Sequence, residues 1–214
     1  MRVSPESARA EAVAALRASD PVLRGVIDSV GADNVLDPGS RLAPDHYGAL
    51  VRSIVGQQLS TIAATAIYGR LKERYGGRTP TPQEVVDDDP DEMRVAAGLS
   101  HAKVGYLRSL AEHVLDGSLD LDRLDELPDD EVIADLTAVR GIGTWSAHMF
   151  LMFQLGRPDV LPVGDLGIRR AFMLLWGFEK LPKPAEMESI AEPWRPHRTL
   201  ASLFLWRSIL ATPV

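Results

Sequence analysis

Helix-start signals recur along this sequence at short intervals, and nothing in it reads as a pair of strands. Ser4-Pro5-Glu6 and Asp20-Pro21 each set a capping side chain ahead of a proline. At the first helical position the N–H that proline lacks would have had no partner anyway. Thr81-Pro82-Gln83-Glu84 is a capping box, and Asp89-Pro90 opens another short helix. Ser60 and Ser100 precede longer stretches running to Tyr75 and Asp116, with Gly31, Gly76-Gly77 and Gly98 as stops. Tyr47, Leu50, Val51, Ile54 and Val55 fall on one helical stripe, as do Val104, Leu107, Leu110, Ala111 and Val114. Pro128-Asp129-Asp130-Glu131 places acids in a first turn, where they suit the helix dipole. A short helix near 185–191 and a last one from about His197 to Leu210 complete an all-α chain. Residues 32–43 read as a loop and a domain boundary.

Composition excludes several chemistries. None of the 214 residues is cysteine, which removes disulfides, thiol nucleophiles, thiolate zinc sites and Cys-ligated iron–sulfur clusters. The five histidines include no i,i+4 pair, so a metal site built from side chains is not expected. No signal peptide and no membrane-spanning run is apparent, and a cytoplasmic protein (nucleoid-associated in a bacterium) is the expectation. The net charge of −7 speaks against a polyanionic partner, but its distribution does not. Residues 87–92 carry five acids, and residues 120–131 carry seven with one arginine. Without those patches 22 bases face 18 acids, so a local basic face remains available.

The stretch from Leu136 to Trp176 carries the chemistry. An apolar helix runs into Arg140-Gly141-Ile142-Gly143, and Thr144 is placed to cap the apolar helix that follows. Such a Gly-x-Gly turn either connects two helices or exposes backbone N–H groups as a nest for phosphate. Downstream, Leu161-Pro162-Val163-Gly164-Asp165 delivers a carboxylate to the start of another helix, where an Asp is ordinarily an N-cap. The dipole and N–H donors at that position favour the anion. An anion is what a reaction needs when positive charge develops on a sugar.

These elements resemble the helix-hairpin-helix DNA glycosylases, in which the hairpin is followed by a Gly/Pro-rich loop ending in a catalytic Asp. Ile54-Val55-Gly56-Gln57-Gln58-Leu59-Ser60, Gly98-Leu99-Ser100-x-x-Lys103 and Trp194-Arg195-Pro196-x-Arg198…Leu205-Trp206 extend the likeness. It is closest to the alkylation-repair branch, the type II 3-methyladenine DNA glycosylases, and it runs from Asp20 onward. The resemblance implies a two-lobed all-α glycosylase fold with the active-site cleft between lobes. One lobe is expected from residues 1–38 plus 172–214; the other is a helical barrel of residues 39–171, with the hairpin motif at about 129–156. The β-rich N-terminal domain of some relatives has no strand signal here.

The resemblance makes Asp165 the catalytic residue. Gln57, Gln58, Arg140, Gly141, Ile142, Gly143 and Thr144 become DNA contacts, with Gln58 filling the gap left by a flipped nucleotide. Trp145, Met149 and Trp206 become the base pocket, although periodicity alone would make Trp145 a core residue and core packing is a rival role for Trp206. Trp145 stands where relatives that also cleave the backbone carry a Schiff-base lysine, which implies a monofunctional enzyme. The expected activity is excision of alkylated bases (3-methyladenine, 7-methylguanine type) from duplex DNA by a monomer, without a cofactor. The alternatives are a glycosylase for another damaged or mispaired base and a non-catalytic lesion binder.

Overall fold

A computed structural model describes residues 5–35 and 43–210, and every structural statement below concerns those residues. They form twelve α-helices and no strand. The helices are α1 Pro5–Ser19, α2 Pro21–Val30, α3 His46–Gly56, α4 Thr61–Arg74, α5 Pro82–Asp87, α6 Pro90–Ala97 and α7 His101–Leu115, then α8 Asp129–Ala138, α9 Thr144–Phe153, α10 Leu166–Leu175, α11 Pro184–Ala191 and α12 Arg198–Leu210. The capping chemistry read from the sequence sets these boundaries. Asp20 accepts from Val22 N and Leu23 N, Ser60 from Ala63 N, Ser100 from Lys103 N and Asp89 from Asp91 N and Glu92 N. Thr81 and Glu84 close both halves of the capping box. Ser4 and the centre of the 32–43 join lie outside the described residues.

The chain divides into two compact units, Met1–Arg41 with Gly156–Val214, and Leu42–Leu155. In the second unit, Leu50, Val51, Ile54 and Val55 of α3 are almost wholly buried, as are Leu107, Leu110 and Ala111 of α7. Val132 and Leu136 of α8 and Ala147, Leu151 and Met152 of α9 extend that core. The first unit centres on α12, whose residues Ala201–Leu205 are all buried. Five consecutive buried residues span more than one full turn, so this part of α12 has no polar face. Around it pack Leu23, Val26 and Ile27 of α2, and Phe172. Phe172 stacks on Trp176 at 4.8 Å between centroids and leans on Trp194 at 5.5 Å.

The return between units falls at residues 155 and 156, earlier than the 171 and 172 expected from the sequence. The segment after Gly156 is tied to α12. Thr199 N donates to Pro158 O at 3.0 Å, and Val160 N to Thr199 Oγ1 at 3.0 Å. The Arg198 guanidinium grips Asp159 at 2.7 and 2.9 Å. Asp165 therefore belongs to the unit built from the two ends of the chain, not to Leu42–Leu155.

Candidate functional site

In the unit Leu42–Leu155, α8 and α9 enclose the hairpin Val139–Gly143. Ile142 is buried and its N–H donates to Val139 O at 3.1 Å, so this side chain anchors the turn and leaves the glycines at its surface. Gly141 has φ +93, and a Cβ there would lie 2.2 Å from the Tyr106 ring. The Arg140 guanidinium lies 6.0 Å from the centroid of that same ring and passes over Gly105. Hairpin and α7 thus interlock: each offers a glycine to the other's long side chain. Gly105 and Tyr106 were not singled out in the sequence, because nothing local marks a glycine inside an apolar helix as a contact point.

Thr144 does not cap α9. Helical geometry already begins at Thr144, Gly143 is the N-cap, and the start of α9 has no side-chain cap. The hydroxyl of a residue in the helix is poorly placed to take the N–H groups one turn on, which the preceding residue's side chain would accept. The opening of this helix is left to backbone and solvent, which favours an anion there. Trp145 follows in the first turn and is 45% exposed. Met149 lies one turn along and is half-buried.

The α3–α4 connection sits beside the hairpin. Gln57 Nε2 donates to Gly141 O at 2.8 Å, so its amide braces the turn from within the protein. Gln58 has φ +58, in the left-handed region, the only non-glycine there among the described residues. A bulky side chain in that region is costly, and such residues cluster at working sites. Leu59 and Ile62 next to it are exposed, Ile62 at 85%. Lys103 Nζ donates to Val55 O at 2.7 Å, tying α7 to the end of α3. Burial pushes the Lys103 ammonium pKa down.

In the unit holding both chain ends, Asp165 is the N-cap of α10. Its Oδ1 accepts from Ile168 N at 2.8 Å and from the indole N–H of Trp206 at 2.8 Å. Asp165 and Trp206 are both half-buried. A Cβ on Gly167 would stand 3.0 Å from Asp165 Oδ1 and 3.2 Å from Trp206 Cδ1. The sequence named Asp165 and Trp206 as separate functional residues; the structure joins them.

Residues 51–196 match the HhH-GPD superfamily of base excision DNA repair proteins. The chain belongs to this superfamily. Over 164 residues, 76% of this chain and 72% of the relative, it is 37% identical to DNA-3-methyladenine glycosylase 1 of Schizosaccharomyces pombe. It is 28% identical to DNA-3-methyladenine glycosylase 2 of Escherichia coli over 204 residues, 89% of this chain and 67% of that one. The fold matches the solved Schizosaccharomyces pombe 3-methyladenine DNA glycosylase in complex with abasic DNA. The TM-score is 0.82 at 34% identity, covering 95% of this chain and 99% of that one. The matched region takes in the hairpin, Trp145, Asp165 and Lys103, and Trp206 lies beyond it.

Within this HhH-GPD chain the basic residues divide clearly. Arg169 Nε donates to Pro182 O at 3.2 Å. Arg195 and Arg198 are held by Asp159, and Lys103 by α3. These are engaged by protein groups, although Arg195 is itself exposed. Arg140 and Arg170 are exposed. No helix among the described residues is long and apolar enough to cross a membrane.

Proposed function

We propose that this protein is a monofunctional DNA glycosylase that hydrolyses the N-glycosidic bond of alkylated bases, of the 3-methyladenine and 7-methylguanine type, in double-stranded DNA. It acts as a monomer without a cofactor, and its product is an abasic site for base excision repair. The observation that carries this reading is Asp165: a half-buried carboxylate oriented by two N–H donors at the start of α10, inside the region that matches the superfamily.

Each role follows from the chemistry of the group. The hairpin Gly141–Gly143 and the side-chain-free opening of α9 bind a backbone phosphate through N–H groups, which holds DNA without reading its sequence. Gln58, on a backbone already strained into position, fills the space of the flipped nucleotide. The exposed indole of Trp145 offers an electron-rich face to a cationic base, with Met149 beside it. A base methylated on a ring nitrogen is positively charged and leaves as a neutral molecule, taking the bonding pair with it. No second carboxyl group is then needed to protonate the leaving group. The sugar becomes cationic, Asp165 stabilises that charge, and water adds at C1′ and loses a proton. Trp145 has no amine for a Schiff base, so no lyase step follows.

The test uses duplex DNA carrying methylated purines, with the wild-type protein and Asp165→Asn. Asn caps a helix about as well as Asp, so the variant should fold. The wild type should release free base and leave abasic sites; the variant should be slower by about a hundredfold to a thousandfold. Equal release by both would remove Asp165 from the mechanism. Tight lesion binding without any release by the wild type would make the protein a lesion binder instead.

A further inference from the structure

We propose that Trp206 is a positioning residue for the Asp165 carboxylate, acting through its indole N–H, and that Gly167 exists to let the two meet. The inference rests on the reading of Asp165 as the catalytic carboxylate. Two donors converge on one oxygen: Ile168 N from α10 and Trp206 Nε1 from α12, each at 2.8 Å from Oδ1. A single N-cap bond leaves a carboxylate able to swivel about its Cβ–Cγ bond. A second donor, approaching from another helix 41 residues away, fixes the rotation as well. Fixed orientation is what electrostatic stabilisation of a developing charge requires.

The close approach has a sequence cost that shows its purpose. Gly167 occupies the first turn of α10, where glycine is a poor helix former. Its missing Cβ would sit 3.0 Å from Asp165 Oδ1, 3.2 Å from Trp206 Cδ1 and 3.2 Å from Ile209 Cδ1. Any side chain there must displace the carboxylate by a few tenths of an ångström, and crowds the indole and Ile209 as well.

The same pairing occurs elsewhere in this unit in a purely structural form. Asp20 caps α2 through Oδ1 while Trp194 Nε1 donates to its Oδ2 at 3.3 Å. There the Asp is 8% exposed and the Trp 1% exposed. Both oxygens serve the fold, and neither residue faces solvent. At Asp165 the bond is shorter, 2.8 Å against 3.3 Å, and both partners are half-exposed. This assigns the indole's polar edge, rather than its face alone, to the reaction. A pocket wall acts on substrate binding; a positioning donor acts on the chemical step.

That difference supplies the readout. Replacing Trp206 by 3-benzothienylalanine, which keeps the bicyclic shape but puts sulfur in place of the N–H, isolates the hydrogen bond. Single-turnover release of methylated base should slow about tenfold to a hundredfold, the range expected for losing one bond to a charged acceptor. KM and affinity for abasic-site DNA should stay within about twofold because the ring itself is retained, and a ring that served only as a wall would leave the release rate unchanged as well. Gly167→Ala should slow release in the same sense, with folding checked by circular dichroism. Unchanged release by the sulfur isostere, or a raised KM with unchanged kcat, would overturn the positioning role. If Asp165→Asn is inactive while the isostere is unaffected, only this inference fails; if Asp165→Asn remains active, the parent reading fails with it.

Discussion

Trp194 and Trp145 show how little a residue's type says about its job. Trp194 is 1% exposed, packed on Phe172 and Trp176 and bonded to Asp20. Trp145, on the first turn of α9, is 45% exposed. Periodicity treats Trp145 as an apolar helix residue while Trp194 falls between two expected helices, and only the hairpin beside Trp145 suggests a different role. Their variants should separate cleanly. Trp194→Ala removes a buried ring and should cost about 3–5 kcal/mol of stability, read as a large fall in Tm. Trp145→Ala removes a ring that is 45% exposed, so Tm should fall less than for Trp194→Ala while release of methylated base falls at least tenfold. A Trp145 variant with full excision activity would remove that residue from the pocket. The Asp165–Trp206 bond was invisible in the sequence for another reason. It joins two helices distant along the chain, and Gly167, which permits it, looks like any glycine near a helix start.

At the scale of the element, the hairpin separates two glycines that the sequence could only treat as a pair. Gly141 has a positive φ and no room for a Cβ against the rigid Tyr106 ring. Gly143 has φ −100, which any residue adopts, and nothing within 4 Å of where its Cβ would be. The protein itself therefore demands glycine at 141 and not at 143. Gly141→Ala should destabilise the unit 42–155 by about 2–4 kcal/mol, through strain and overpacking together. Gly143→Ala should leave Tm unchanged but weaken binding to abasic-site DNA several-fold, because only an approaching phosphate needs that space. Normal affinity in a stable Gly143→Ala protein would move the phosphate site elsewhere. Helix starts were the most legible elements, since Asp20, Ser60, Thr81, Asp89 and Ser100 all cap as their residue types suggest. Thr144 misled because a glycine can also hold the N-cap position, leaving no side chain to mark it.

For the whole molecule, the class and the helix order were legible, while the return between units was not. Nothing local in Arg157–Asp159 announces that it will bond Thr199 and Arg198, some 40 residues ahead. The charge map was half-read in the same way. The acidic run at 87–92 reads as solvated surface, yet Asp88 is a structural anion. Its carboxylate accepts from Arg74 Nε at 2.7 Å and Nη2 at 2.6 Å, and from the Tyr75 hydroxyl. It is only 13% exposed, and the Arg74 guanidinium holds its pKa below the usual carboxylate range. Glu84, gripped by Arg78 and accepting from Thr81 N, is pushed down to about 2. A carboxylate whose folded pKa lies below its unfolded value binds fewer protons in the folded state, so it stabilises the fold above the ordinary value of about 4. That contribution disappears as pH falls through the folded value. As pH falls below about 4 the protein should therefore lose the stabilisation these carboxylates supply, with Glu84, at the surface, contributing little. Asp88→Asn should lower stability at pH 7 by about 1–3 kcal/mol, because it breaks the paired guanidinium contact. The gap between the Tm of wild type and variant should then narrow as the pH is taken from 5 towards 2. A gap that stayed constant across that range would mean that Asp88 supports the α4–α5 region by packing rather than by charge.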